Sequence, residues 1–243
     1  MNQYSGYRIS FGPRISPVVK YLVILNALVF VWQFISRIGG GGYGLITTLG
    51  LVPAAVVGKL YLWQLVTYLF LHADFWHLFF NMFALWMFGT ELESRWGGRA
   101  FARYFFITGI GAGIFSVLAS PGSGTPTIGA SGAIYGVLLA YGLIFPERYV
   151  YLYFLVPVKV KYFVIVLGVI AFLMALSDQG STISHVAHLG GMVVGLVYLK
   201  GWFSLREIRK QYDGWRKSRR RRNFEVIDSE KPSRRKEDDY WIN

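Results

Sequence analysis

Six stretches of this chain are apolar over a length that approaches or reaches the thickness of bilayer hydrocarbon, which takes about 20 helical residues to cross. The first, Val18 to Ile35, reads VVKYLVILNALVFVWQFI. The others are Phe75 to Gly89, Phe101 to Leu118, a run from near Gly129 to just before Pro146, Tyr162 to Leu176, and Ser184 to Trp202. A soluble fold of 243 residues has nowhere to bury them all. Only 16% of the residues are charged, against roughly a quarter in soluble domains. The expectation is an all-α membrane protein, a six-transmembrane-helix bundle over residues 18–202. Residues 1–17 read as a cytoplasmic N-terminal segment without a cleavable signal pattern. Residues 203–243, which contain RKSRRRR, read as a disordered cytoplasmic tail attracted to anionic lipid.

Two segments do not read as simple spans. Gly39 to Leu71 opens on four glycines and closes on LYLWQLVTYLFL, a run too short to cross, so an interfacial or re-entrant element is expected. Tyr149 to Lys161 is apolar but interrupted by Pro157, Lys159 and Lys161, and reads as interfacial.

The basic residues fix an orientation. Arg8, Arg14 and Lys20 precede or open the first span, and Arg95, Arg99 and Arg103 lie around the junction of spans two and three. Arg148, Lys159 and Lys161 separate spans four and five, and Lys200 and the tail follow span six. Only Arg37 and Lys59 fall on the other side. The excess of positive charge on cytoplasmic loops then puts both termini in the cytoplasm; the membrane is expected to be a cell (inner) membrane. The net charge of +12 is accounted for by topology, and no nucleic-acid partner is expected. The chain has no cysteine, which removes disulfides and thiolate chemistry.

With this topology spans two, four and six run outside to inside, and their first turns share one shallow level. His77 and Asn81 lie in the first turns of span two, Ser131 opens span four, and His185 and His188 open span six. His72 lies just before span two, so all four histidines are on the outer side. The pairs are spaced i, i+4 and i, i+3, each on one helix face. Polar groups at membrane depth face the bundle interior or a water-filled cavity. Gly132 with Gly136, and Gly191 with Gly195, make a GxxxG pair on each of spans four and six, which lets helix backbones touch in lipid. If the spans pack through these pairs, Ser131 and His188 come together.

A serine hydroxyl needs a base to take its proton, and a neutral imidazole serves. Outer carboxylates are scarce: Asp74 and Asp178 sit in loops, and Glu91 and Glu93 are at the inner end of span two, expected to pair with Arg95 or Arg99. A Ser–His dyad without an acid is therefore expected. Asn81, His77 and the unpaired first-turn amides at Ser131 are the candidate oxyanion donors. Two other readings stand beside this one. Four histidines can bind a metal, although HxxH without a neighbouring Glu is not the metalloprotease pattern. A non-catalytic cavity can bind other membrane proteins.

These motifs resemble those of rhomboid intramembrane serine proteases. GASGAIYG at Gly129 to Gly136 resembles the family's GxSG signature. HVAHLGGMVVG at His185 to Gly195 resembles its last helix, and HADFWHLFFNMFALWMFGTELE at His72 to Glu93 resembles its HxxxN second helix. WQLVTYLFLH from Trp63 resembles the segment before it, with Gln64 where many members carry Trp-Arg. The resemblance implies that Ser131 is the nucleophile and His188 the base, with Asn81, His77 and the Ser131 amide holding the oxyanion. It implies that Tyr135 packs on the His188 ring, that Gly129 keeps the approach to Ser131 open, and that Leu45 to Leu71 is a membrane-embedded first loop. It further implies single-pass transmembrane proteins as substrates, membrane lipid as surroundings, and no cofactor or metal. His185 is left to support water or the oxyanion, or to cap its helix.

Overall fold

The computed structural model describes residues 14–152, 155–177 and 185–201. The expected N-terminal segment up to residue 13, Asp178 and the basic tail lie outside the described residues. Most of the rest is helical. Helix α1, Pro17–Ile38, starts with proline at its first position, where no amide hydrogen is needed, and stops at Gly39. Its buried residues, Val19, Leu22, Asn26 and Gln33, lie on one face. The opposite face exposes Leu28, Val31, Phe34 and Ile35.

That inversion recurs. Large apolar side chains such as Trp76, Phe80, Ile165 and Leu173 face outward, while Gln33, Gln64, His72, Asn81, Glu93, Thr108 and His188 are buried. A continuous apolar exterior is a liability in water and the required surface in lipid. The protein is a mostly helical membrane protein. Two helices, α1 and α7 (Gly98–Ala119), have 22 residues each and are long and apolar enough to cross a bilayer, reaching about 33 Å at 1.5 Å per residue.

The segment between α1 and the second apolar run is built from short helices: α2, Gly42–Leu49; α3, Pro53–Lys59; and α4, Gln64–Thr67, which tightens into a 3₁₀ turn over Tyr68–Phe70. Side chains replace the hydrogen bonds that so broken a backbone lacks. The buried Gln64 accepts from the Val52 amide (2.9 Å) and donates to the carbonyls of Thr47 (3.0 Å) and Thr48 (3.2 Å). Trp63 Nε1 donates to Thr48 and Thr67 Oγ1 to Leu49. A neutral amide thus ties three backbone groups together.

The second apolar run extends beyond the expected Gly89. It comprises α5 (Phe75–Ala84), a π turn at Leu85–Gly89 and α6 (Thr90–Trp96). The helix carries Glu91 and Glu93 inward because both are partnered, though not by the arginines expected. Glu93 is buried and caps α1: its oxygens accept from the amides of Val18 and Val19, each at 2.9 Å, and from Ser16 Oγ. Glu91 accepts from Tyr141 Oη at 2.8 Å and pairs with Arg148, while Arg95 lies over the Phe145 ring.

After α7 come α8 (Ser131–Ile144), an antiparallel hairpin of β1 (Tyr149–Leu152) and β2 (Val156–Lys159), and α9 (Val160–Ser177). The hairpin occupies the segment read as interfacial. Its polar group Glu147 bridges Lys159 (2.7 Å) and Lys161, and those two ammonium groups hold its carboxyl down to about 2. Helix α10 covers residues 185–201.

Candidate active site

Ser131 is the first residue of α8, and the backbone before it is held from two sides. Leu51 and Thr127 exchange amide–carbonyl hydrogen bonds of 2.9 and 2.8 Å, and the Gly129 amide donates to the Tyr68 carbonyl at 2.9 Å. The first loop therefore fixes the turn that presents the serine. Gly129 has φ +118°, a conformation that side-chain-bearing residues rarely adopt.

Ser131 Oγ lies 2.7 Å from His188 Nε2 on α10. The imidazole lies flat on the Tyr135 ring, one turn along α8, with centroids 4.3 Å apart and planes 3° from parallel. The other ring nitrogen, Nδ1, is buried without a hydrogen-bond partner among the described residues. Among the described residues the ring is oriented by stacking and not by a carboxylate.

Glycines bring the two helices to this distance. A Cβ on Gly191 would run into the Gly132 carbonyl, and one on Gly195 would lie 3.4 Å from the Gly136 Cα. The α8 glycines also serve a second neighbour, because a Cβ on Gly132 would meet Ala112 and one on Gly136 would meet Thr108, both on α7. Tyr104 on α7 ties the crossing by donating from Oη to the Gly136 carbonyl at 2.7 Å.

His77 stands on the other side of Gly129. The position a Gly129 Cβ would take is 2.8 Å from His77 Cε1 and Nε2 and 3.8 Å from Ser131 Oγ. His77 Nδ1 accepts from the Ala73 amide at 3.3 Å, which leaves the proton on Nε2, the nitrogen on the Gly129 side. Asp74 caps α5 by accepting from the His77 amide. Asn81 is buried one turn on, and its Nδ2 donates to the His77 carbonyl at 2.7 Å. One amide hydrogen of Asn81 is thus engaged within its own helix and one remains. His185 sets its ring edge against His188, with centroids 5.7 Å apart. His72 does the same to His77, at 5.0 Å. The histidines thus meet as two ring pairs, and among the described residues no three histidine or carboxylate groups converge as a metal ion requires.

Ser131, His188, Tyr135, Gly129 and His77 are brought together, with the glycine pairs behind them. Tyr68 and Tyr104 hold backbone at the site and were not singled out from the sequence, nor was Gln33, which bonds the His72 backbone. The tyrosines carry no distinguishing signal among 16 in the chain. Gln33 did carry one, a polar residue in an apolar run, but its partner is a backbone segment that pattern reading does not locate.

The Rhomboid domain model matches residues 59–205. Among similar proteins, Rhomboid protein 1, mitochondrial, of Saccharomyces cerevisiae is 35% identical over 147 residues, 58% of this chain and 42% of that protein. Rhomboid protease GluP of Bacillus subtilis is 32% identical over 183 residues, 74% of this chain and 34% of its own length. RHOMBOID-like protein 12, mitochondrial, of Arabidopsis thaliana is 28% identical over 215 residues, 80% of this chain and 60% of that protein. The chain thus spans from about a third to three-fifths of the length of these relatives. With more than half of its residues inside the family model, the chain belongs to the rhomboid family.

Proposed function

We propose that this chain is an intramembrane serine endopeptidase that hydrolyses peptide bonds in or next to the transmembrane segments of single-pass membrane proteins. The observation that carries the reading is the 2.7 Å approach of Ser131 Oγ to His188 Nε2, made across two helices by a ring stacked on Tyr135. In this reading residues 18–202 form six spans, with residues 1–17 and the tail 203–243 in the cytoplasm. The site then lies just below the outer face of the cell membrane, where water reaches it.

The chemistry follows from the atoms in contact. The Ser131 proton passes to His188 Nε2 as Oγ attacks the scissile carbonyl. The developing oxyanion is held by the Ser131 amide, His77 Nε2–H and the remaining Asn81 Nδ2–H. The imidazolium returns the proton to the leaving amine, the C–N bond breaks, and water hydrolyses the acyl-enzyme by the same route. Tyr135 keeps the ring facing Oγ in place of an acid partner. Gly129 leaves the space between His77 and Ser131 open.

The test is cleavage of a generic transmembrane substrate in liposomes. Wild type is expected to cleave, and Ser131→Ala and His188→Ala to lose activity by at least about 10³-fold. Cleavage that persists in Ser131→Ala and stops with a chelator refutes the dyad in favour of a metal. Absence of cleavage by wild type, with retained substrate binding, points to a non-catalytic binder.

A further inference from the structure

Gln33 is a polar residue deep in the first apolar helix, 2% exposed. An unsatisfied amide at membrane depth is costly, and this one is partnered at both its oxygen and its nitrogen. Its Oε1 accepts from the His72 amide at 3.0 Å, and its Nε2 donates to the His72 carbonyl at 3.2 Å. One turn later, Arg37 Nη1 donates to the Ala73 carbonyl at 3.0 Å. Gly42 closes over the arginine stem, since a Cβ there would meet Arg37 Cγ at 2.5 Å and Cα at 3.1 Å. The end of α1 therefore grips the backbone of two successive residues, His72 and Ala73.

The next group in this chain of contacts is the Ala73 amide, which donates to His77 Nδ1. A neutral imidazole carries one proton, and accepting at Nδ1 puts it on Nε2. Without a donor held at Nδ1, the ring is free to exchange tautomers or turn about its χ angles. It then presents an acceptor, or nothing, toward Gly129. An acceptor there repels a developing oxyanion, and a ring turned away leaves it short of a donor.

We propose that Gln33 and Arg37 are positioning residues for His77: by pinning the His72–Ala73 backbone they aim the Ala73 amide at Nδ1, and so hold the His77 proton on the nitrogen that faces the site. This rests on the reading of His77 as an oxyanion donor. It assigns α1, which contributes no reacting group, a role in the chemical step.

A double-mutant cycle separates this role from a merely structural one. Gln33→Met in otherwise wild-type protein is expected to lower kcat about tenfold with KM changed less than about twofold, because a donor acting only on the transition state is misplaced. In a His77→Ala background the same substitution is expected to change kcat by less than about twofold, since the residue it acts through is gone. Equal fold-losses in both backgrounds overturn the coupling while leaving the oxyanion reading intact. Full kcat in His77→Ala overturns the oxyanion reading and the coupling with it. Arg37→Met, at an exposed side chain, carries the same cycle if Gln33→Met fails to fold. Its expected loss is about threefold, again present only when His77 is present.

Discussion

Gly129→Ala tests whether the space between His77 and Ser131 matters. Two costs add. At φ +118° an alanine is strained by about 1–3 kcal/mol. Its Cβ would also sit 2.8 Å from both Cε1 and Nε2 of His77, where carbon contacts settle at about 3.5–4.0 Å. The ring must therefore withdraw by about 1 Å, which takes Nε2–H out of reach of the oxyanion. Loss of one such donor lowers kcat by about 10²–10³, equivalent to about 2.7–4 kcal/mol. Ser131 Oγ is 3.8 Å from the new methyl, an ordinary contact, so the pair with His188 is not displaced directly. The assay is steady-state cleavage of a transmembrane substrate in liposomes, well below the melting temperature of the variant. The expected result is a kcat loss of that size with KM nearly unchanged, and little further loss when His77→Ala is added. A Gly129→Ala protein whose kcat stays within about threefold of wild type refutes the reasoning, because no arrangement retaining the ring and the donor accommodates the methyl.

Glu93→Gln is expected to destabilise the protein by about 2–4 kcal/mol, because it replaces a buried anion that accepts two α1 amides and the Ser16 hydroxyl. Glu91→Gln, which breaks a partly exposed pair with Arg148, should cost less than about 1 kcal/mol; thermal unfolding in detergent compares the two. Gly191→Ala forces α10 away from the Gly132 carbonyl, so labelling of Ser131 by a fluorophosphonate should slow about tenfold or more, measured by gel fluorescence. Gln64→Leu strands three backbone groups at a cost of about 2–3 kcal/mol, and hydrogen exchange should rise first at Thr47 to Val52.

The candidate site was legible because its residues are anomalies in lipid. Ser131, His188, His77 and Asn81 stand out against apolar runs, and spacing puts His77 with Asn81 and His185 with His188 on one face of their helices. The glycine pairs foretold the crossing of α8 and α10, though not that Gly132 and Gly136 also receive α7. Glu93 shows the limit of local reading. Arginines two and six residues away looked like its partners, yet the nearest strong donors in space are amides of α1, more than seventy residues earlier. The β1–β2 hairpin was hidden for a related reason: Pro157 and the lysines signal a break in the helix but not what replaces it. Side-chain-to-backbone contacts such as those of Gln33 and Gln64 have no period and leave no pattern.

The backbone bonds between the first loop and the turn before α8 also bear on how a substrate gets in. Leu51 is laced to Thr127 and Tyr68 to Gly129, so that loop and the serine move as one piece. In the proposed reaction, a substrate helix that wedged the loop aside would drag Ser131 away from His188 on arrival. For the proposed protease, entry that spares the dyad then has to come elsewhere: the π turn and α9 meet through the rings of Phe88 and Phe163, and Phe75, Trp76 and Phe79 on α5 are exposed.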